Sequence, residues 1–248
     1  MNSEIDMRKQ IVSLMDLTLL GDNDTKGDIA KICSKATNVL GDVAAVCIYK
    51  EWITVAKKQL PNNIKIATVI NFPSGKCSLD EVLAETTLAL KFGADEIDLV
   101  IDYQDYIKNS QSIASCQMIS AVKKICGSKA LKVIIESGEL EKSKLIKKAT
   151  KDAIDNGADF IKTSTGKVTI GATIDATKCM LETIKESGKK VGFKASGGIR
   201  SYSQAVEFMQ LATKIFSKEY VCAKSFRFGV SGLLDSLLEN NLGDDNAY

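Results

Sequence analysis

The sequence contains no histidine among its 248 residues. Histidine is the commonest general base in enzymes and a common metal ligand. Proton transfer in this chain would therefore fall to lysine, carboxylate, tyrosine or water. Zinc-type metal chemistry is disfavoured, and we predict a protein that uses no metal.

Paired cysteines and long apolar runs are also missing. The seven cysteines include no C-x-x-C pair, which argues against a disulfide framework and a structural zinc site. No stretch approaches the roughly eighteen consecutive apolar residues of a membrane span. The first residues, "MNSEIDMRKQ", lack the apolar segment of a signal peptide. These absences predict a cytoplasmic protein that does not associate with membranes.

Neither sign of charge is in excess. The chain has 33 Lys and Arg against 31 Asp and Glu, a net charge of +2. Basic clusters such as "KSKLIKKATK" (142–151) alternate with apolar residues, as on the solvent-exposed face of a helix. We therefore predict no nucleic-acid partner.

Eight short apolar runs recur along the chain and alternate with segments of helical period. "SLDEVLAETTLALKFG" (78–93), for example, opens on a capping serine and closes on glycine. This alternation predicts a single-domain α/β protein, a TIM (β/α)8 barrel over 1–239, followed by a flexible tail at 240–248. No G-x-G-x-x-G motif is present, which favours the barrel over an open doubly wound sheet. The predicted strands are 11–17, 43–49, 64–72, 96–102, 131–136, 158–163, 191–196 and 220–228.

Among the charged residues inside or at the end of apolar runs, four stand out most clearly: Asp16, Asp98, Lys162 and Lys194. The carboxyl ends of barrel strands are where active sites form. Alternation along the sixth and seventh strands would bring Lys162 and Lys194 together. Burial and a neighbouring cation would then lower the pKa of one of them and create a nucleophilic amine. Two other interpretations remain open: lysines whose head groups reach solvent, and a structural ion pair with Asp98.

Two small-residue turns follow the seventh and eighth predicted strands. "ASGGIR" (195–200) and "FGVSG" (228–232) each lead towards a helix. Backbone N–H groups at such turns bind anions, and these two loops are the common phosphate site of this fold. Arg200 and Lys167 could supply positive charge, so the pattern predicts a phosphorylated ligand.

Several longer segments, spread over almost the whole chain, include these charged residues and turns. On these segments the sequence closely resembles the deoxyribose-phosphate aldolases, a family of class I (Schiff-base) aldolases with a TIM-barrel fold. The block with K-T-S-T-G together with K-x-x-G-G is the most specific part of the resemblance. The segments are "LMDLTLL" (14–20), "VCIY" (46–49), "ATVINFPSG" (67–75), "GADEIDLVID" (93–102), "KVIIESGEL" (132–140), "GADFIKTSTGKVTIGAT" (157–173), "GFKASGGIR" (192–200) and "FRFGVSGLL" (226–234).

The resemblance implies a role for each matching residue. Lys162 corresponds to the imine-forming lysine, Lys194 to the cation that perturbs its pKa, and Asp98 to the carboxylate that moves protons. Asp16 and Thr18 correspond to positions near the hydroxyl end of the substrate. The positions that match the phosphate end of the pocket are Gly166, Lys167, Gly197, Gly198, Arg200, Gly229 and Ser231.

The implied reaction is the reversible cleavage of 2-deoxy-D-ribose 5-phosphate to D-glyceraldehyde 3-phosphate and acetaldehyde, without a cofactor or metal. Deoxyribonucleotide catabolism and a homodimer or higher homo-oligomer are part of the same expectation. Two alternatives stay open: a Schiff-base aldolase for another phosphorylated sugar, and a sugar-phosphate-binding barrel without turnover.

Two further positions bear on this resemblance. Gly232 stands where close relatives usually have a second serine, which removes one hydroxyl from the phosphate site. Tyr248 ends the chain, as in some relatives, and is a candidate proton donor carried on the tail; the alternative is a disordered tail end with no role.

Overall fold

The structure is a computed structural model that describes residues 2–239. Eight parallel strands close into a barrel, and each strand is followed by at least one helix. Neighbouring strands follow chain order around the ring, and β1 pairs with both β2 and β8. The predicted TIM (β/α)8 barrel and its single domain are confirmed. The strands are β1 (Met15–Thr18), β2 (Ala45–Cys47), β3 (Lys65–Ile70), β4 (Glu96–Val100), β5 (Ala130–Ile134), β6 (Phe160–Lys162), β7 (Gly192–Ser196) and β8 (Phe226–Val230).

The helices surround the barrel. A short antiparallel pair, Thr37–Asn38 with Gly41–Asp42, precedes β2. None of the helices within residues 2–239 has the length and apolar character needed to cross a membrane. The α-helices are α1 (Asn2–Ser13), α2 (Lys26–Lys35), α3 (Ile53–Lys57), α4 (Leu79–Phe92), α5 (Tyr103–Asn109), α6 (Ile113–Cys126), α7 (Ser137–Leu140), α8 (Ser143–Asp155), α9 (Ile174–Ser187), α10 (Tyr202–Ile215) and α11 (Leu233–Glu239).

Helix α4 shows why local sequence signals predicted these helices well. The Ser78 side chain accepts a hydrogen bond from the Glu81 N–H, and the Glu81 side chain accepts one from the Ser78 N–H. Gly93 ends the helix with φ of 104°, a left-handed conformation that favours glycine. The predicted segment 78–93 thus includes the cap residues that flank the observed helix Leu79–Phe92.

Two of the predicted strands have wrong boundaries. The run at 11–17 begins inside α1, because Ile11 and Val12 are the buried side of that helix and not part of a strand. The run at 220–228 begins too early. Its first residues form a turn in which the Ser225 hydroxyl donates to the Tyr220 carbonyl, and the strand starts only at Phe226.

Alternation along the strands separates an apolar outer side from a charged barrel interior. Ile97 and Val133 are fully buried in the apolar cluster that also contains helix residues such as Val82. Their neighbours Asp98 and Lys132 are equally buried, but these side chains bond to each other inside the barrel. TIM barrels usually fill this interior with branched apolar side chains. Here a layer of charges occupies this interior beside a small apolar cluster of Cys47, Ala67 and Val69.

The first and last helices of the described residues, α1 and α11, contact each other. The Arg8 guanidinium on α1 donates a hydrogen bond to the Leu237 carbonyl on α11 at 3.2 Å. Arg8 also lies over the Tyr202 ring at the start of α10, 4.9 Å from its centroid. The predicted tail at 240–248, including Tyr248, lies outside the described residues, so the domain boundary at 239 stays a prediction.

Candidate active site

Lys162 lies at the floor of a cavity at the carboxyl ends of the strands. It is the last residue of β6 and is only 2% exposed. Its Nζ is 2.9 Å from Oδ2 of Asp98 on β4. The cavity has a volume of about 280 Å³. A buried amine that contacts an open pocket is available to a small ligand, unlike an amine that is fully enclosed.

Asp98 is shared by three lysines. Its Oδ2 is 2.9 Å from Lys162 Nζ and 2.8 Å from Lys194 Nζ, and its Oδ1 is 2.9 Å from Lys132 Nζ. Burial alone would raise the pKa of Asp98, but the three ammonium groups hold that pKa well below its usual range. Asp98 is therefore a carboxylate at neutral pH.

The two predicted lysines differ in how firmly they hold a proton. Burial lowers the pKa of Lys162, and the nearby Lys194 lowers it further, against the opposing effect of Asp98. Burial would also lower the pKa of Lys194, but contacts with Asp16 and Asp98 raise it above its ordinary value. Lys194 is thus the permanent cation, and Lys162 is the amine that more readily becomes neutral.

Asp16 is fully buried and belongs to the same charged layer. Its Oδ2 is 2.5 Å from Lys194 Nζ and 3.0 Å from Lys132 Nζ, and its Oδ1 is 2.5 Å from Arg227 Nη1. Thr18, two residues further along β1, lines the cavity. A contact between Asp16 and a substrate hydroxyl stays a prediction, because in this structure its oxygens are engaged with cations.

Three charged residues of the layer were missed in the sequence: Glu96, Lys132 and Arg227. Lys132 lies inside the predicted strand 131–136, as Asp98 lies inside 96–102, but only Asp98 was singled out. Strand alternation was the available signal, since Lys132 pairs in register with Asp98, and Glu96 is two residues before Asp98. Arg227 lies near the end of the predicted strand 220–228, but it was not singled out as a site residue.

The predicted phosphate residues come together on the opposite side of the cavity from β4. Gly197 and Gly198 both have φ of 84°, which lets the chain turn sharply between β7 and α10. Lys167 Nζ is 3.4 Å from the exposed Asp22 carboxylate across the mouth. The cavity is lined by Thr18, Leu20, Lys162, Thr165, Gly166, Lys167, Ser196, Gly197, Gly198, Ile199, Arg200, Gly229, Val230 and Ser231.

The absence of a side chain at Gly229 lets Lys194 lie close to this cavity. A Cβ atom at this position would lie 2.7 Å from Ser196 Cβ and 2.9 Å from Lys194 Cε. Both distances are shorter than ordinary contacts, so a side chain here would displace Lys194. Among residues 2–239, no group of three or more His, Cys, Asp or Glu side chains is arranged to hold a metal ion.

A family model described as DeoC/LacD family aldolase matches residues 10–237. The chain belongs to the DeoC/LacD aldolase family. The match spans every strand of the barrel and all the charged residues of the candidate active site.

Solved structures of similar proteins agree with this membership. A Toxoplasma gondii protein provisionally named a deoxyribose-phosphate aldolase aligns with a TM-score of 0.90 and 25% identity, over 99% of this chain and 97% of that chain. A Coccidioides immitis protein with the same provisional name gives 0.82 and 27%, over 94% and 86%. Deoxyribose phosphate aldolase from Aeropyrum pernix, described as a tetramer, gives 0.75 and 25%, over 97% and 98%.

Proposed function

We propose that this protein is a class I aldolase that reversibly cleaves 2-deoxy-D-ribose 5-phosphate to D-glyceraldehyde 3-phosphate and acetaldehyde. The observation that carries the proposal is the buried amine of Lys162, with its lowered pKa, at the floor of a cavity whose other side is built from glycine-rich loops. Membership of an aldolase family and the resemblance in sequence support it.

The reaction begins with the neutral amine of Lys162. It attacks the aldehyde carbon of the open-chain sugar, and the resulting carbinolamine loses water to give a protonated imine. Asp98, which is 2.9 Å from Lys162 Nζ, is placed to relay the protons of these steps. Lys194 stays protonated and keeps Asp98 ionised.

Bond cleavage uses the imine as an electron sink. The C3 hydroxyl loses its proton, the C2–C3 bond breaks, and its electron pair moves towards the imine nitrogen. This releases glyceraldehyde 3-phosphate and leaves an enamine of acetaldehyde. The enamine carbon then takes up a proton, and water hydrolyses the imine, which frees acetaldehyde and regenerates Lys162. One water is lost and one is consumed, so the cycle balances.

The phosphate end of the pocket positions the substrate. The N–H groups of the loop at Gly197 and Gly198, the start of α10 and the side chains of Lys167 and Arg200 would bind the phosphate. These groups lie at the far end of the cavity from the bond that breaks, so their binding energy orients the sugar against Lys162. For Lys167 this requires release from its exposed ion pair with Asp22.

The deciding experiment is reductive trapping. The protein is treated with acetaldehyde and borohydride, and we expect an increase of about 28 Da that peptide mapping places on Lys162. Lys162→Met should abolish the adduct, and the matched Lys167→Met variant should retain it. An adduct that maps only to Lys167 or Lys194, or no adduct, would overturn the imine mechanism.

Substrate identity needs a separate assay. Cleavage of 2-deoxyribose 5-phosphate should be far faster than cleavage of other phosphorylated sugars and should persist in EDTA. Preference for a different sugar phosphate would indicate the alternative aldolase. Tight binding of the sugar phosphate without turnover would indicate a binding protein. We further propose a cytoplasmic role in deoxyribonucleotide catabolism and a homo-oligomeric assembly, which light scattering would measure.

A further inference from the structure

The layer of charged side chains around and beneath Lys162 is electrically balanced. It contains three carboxylates and three cations in addition to Lys162, and none of the six is more than 6% exposed. With Lys162 neutral the layer sums to zero, and a proton on Lys162 adds one uncompensated positive charge. Uncompensated buried charge is costly. The six residues are Asp16, Glu96, Asp98, Lys132, Lys194 and Arg227.

Two members of the layer, Glu96 and Arg227, do not line the cavity and cannot touch a substrate there. Arg227 Nη2 lies 3.2 Å from Glu96 Oε1, and Glu96 Oε2 lies 2.5 Å from Lys132 Nζ. Arg227 Nη1 lies 2.5 Å from Asp16 Oδ1. Arg227 thus contacts Asp16, and Glu96 contacts Lys132. Asp16 and Lys132 in turn pair with Lys194 and Asp98, the charged groups next to Lys162.

We propose that Glu96 and Arg227 are positioning residues whose opposite charges set how readily Lys162 loses its proton. The inference rests on the proposed function, because it assumes that Lys162 forms the imine. Arg227 holds Asp16 so that its other oxygen faces Lys194, and Glu96 holds Lys132 against Asp98. Each also contributes one unit to the charge balance of the layer.

The remaining titratable groups around Lys162 stay the same in the variants used below. Cys47 on β2 is fully buried, and burial raises the pKa of its thiol, so the thiol is neutral. Glu136, which follows β5, is fully buried and accepts hydrogen bonds from Thr165. Arg227 itself also donates from Nε to the Ala223 carbonyl and lies 5.9 Å from the centroid of the Phe160 ring.

Removal of the Arg227 charge and removal of the Glu96 charge should shift the titration of Lys162 in opposite directions. A merely structural role would not produce opposite shifts. Arg227→Met leaves the layer one unit negative, which favours the protonated Lys162. Glu96→Gln leaves it one unit positive, which favours the neutral amine. We therefore expect the pH midpoint of acetaldehyde trapping on Lys162 to rise by about one unit in Arg227→Met and to fall by about one unit in Glu96→Gln. The double variant should return close to the wild-type midpoint.

The measurement is the initial rate of the borohydride-trapped adduct on Lys162 across the pH range, with thermal melting to verify folding. Arg227→Lys keeps the charge and should keep the midpoint. Lys123→Met removes a cation that pairs with Asp159 at 2.6 Å outside the layer, and it should also leave the midpoint unchanged.

Shifts in the same direction, or no shift in either variant, would overturn the inference. If Arg227→Met does not fold, Glu96→Gln decides alone, because a constant or rising midpoint contradicts the charge balance. An absent adduct in the wild-type protein would instead be a failure of the proposed function, so the two outcomes are distinguishable.

Discussion

At the scale of single residues, Asp98 is the carboxylate that directly contacts Lys162 in the candidate site. Three lysines share its two oxygens, and its removal would leave them without their common anion. Neighbouring ammonium groups would then repel one another in a buried space. The charge of Asp98, and not its size, is the property on which the site depends.

We expect Asp98→Asn to reduce kcat/KM by about a hundredfold or more, because the isosteric amide neither relays protons nor compensates the lysines. Steady-state kinetics with 2-deoxyribose 5-phosphate would measure this. Asp95→Asn is the matched control: Asp95 immediately precedes the same strand and pairs with Lys129 at 3.4 Å. A variant of Asp98 that keeps more than about a tenth of the activity would contradict the role.

Gly232 offers a test of the phosphate end of the pocket. A Cβ atom at this position meets nothing within 4 Å, so a side chain fits without strain. We expect Gly232→Ser to lower KM for the phosphorylated sugar about threefold to tenfold by adding one hydrogen-bond donor. Gly232→Ala lacks the hydroxyl and should change little. If the serine variant lowers KM equally for 2-deoxyribose without phosphate, the added hydroxyl does not act on the phosphate.

At the scale of elements, the loop after β6 connects Lys162 to the proposed phosphate end of the cavity. Glu136 is fully buried with φ of 50°, a strained conformation for a non-glycine residue. It accepts from the Thr165 hydroxyl at 2.6 Å, and that hydroxyl in turn accepts from the Lys167 N–H at 3.0 Å. The buried carboxylate therefore fixes the loop that presents Lys167.

We expect Thr165→Val to raise KM for the phosphorylated sugar about tenfold while kcat changes less, because the loop loses the hydroxyl that joins Glu136 to Lys167. Thr165→Ser keeps the hydroxyl and should keep KM. A fall in kcat with constant KM would mean that the loop positions Lys162 and not the phosphate.

The elements also show what the sequence could predict. Helices such as α4 carry their own start and stop signals in Ser78, Glu81 and Gly93, so local patterns locate them. The strands are short and lack such signals, and Ile11 and Val12 fit a strand as well as the buried side of a helix. The eight-unit alternation was sufficient for the fold because the number of strands matters more than their boundaries.

The sequence predicted some residues of the candidate site and missed others. Lys162 and Lys194 could be found because each ends an apolar run, and Asp98 because it interrupts one. In the structure, the Nζ atoms of both lysines lie within 3 Å of Oδ2 of Asp98. Lys132 and Arg227 could not be found in the same way. Both lie within predicted strands, but the sequence does not give the register between strands, which decides which charges lie opposite each other.

At the scale of the whole molecule, the charged layer links stability to pH. Burial would raise the pKa of Asp16 and Asp98, but the surrounding cations hold both values below those of an unfolded chain. Below about pH 5 the unfolded state therefore binds more protons than the folded state, and acid favours unfolding. The stabilisation is complete at neutral pH and is lost as the pH falls.

We expect the free energy of unfolding, measured in urea, to be constant near neutral pH and to fall by about 2 to 3 kcal/mol between pH 6 and pH 3 from these two carboxylates. Asp98→Asn should show a smaller fall by about 1 kcal/mol, because one of the two groups no longer titrates. An identical fall in the variant would assign the acid sensitivity to other carboxylates.

The pairing of β1 with β8, together with the contact between Arg8 and Leu237, has a consequence for biosynthesis. A ribosome delivers β1 first and β8 last, so the first strand has an unpaired edge until nearly the whole chain has emerged. At about 5 to 20 residues per second this interval lasts on the order of ten seconds or more. Exposed strand edges pair with other chains. The risk that the nascent chain pairs with another chain therefore depends on how fast the final strand joins the first and completes the barrel.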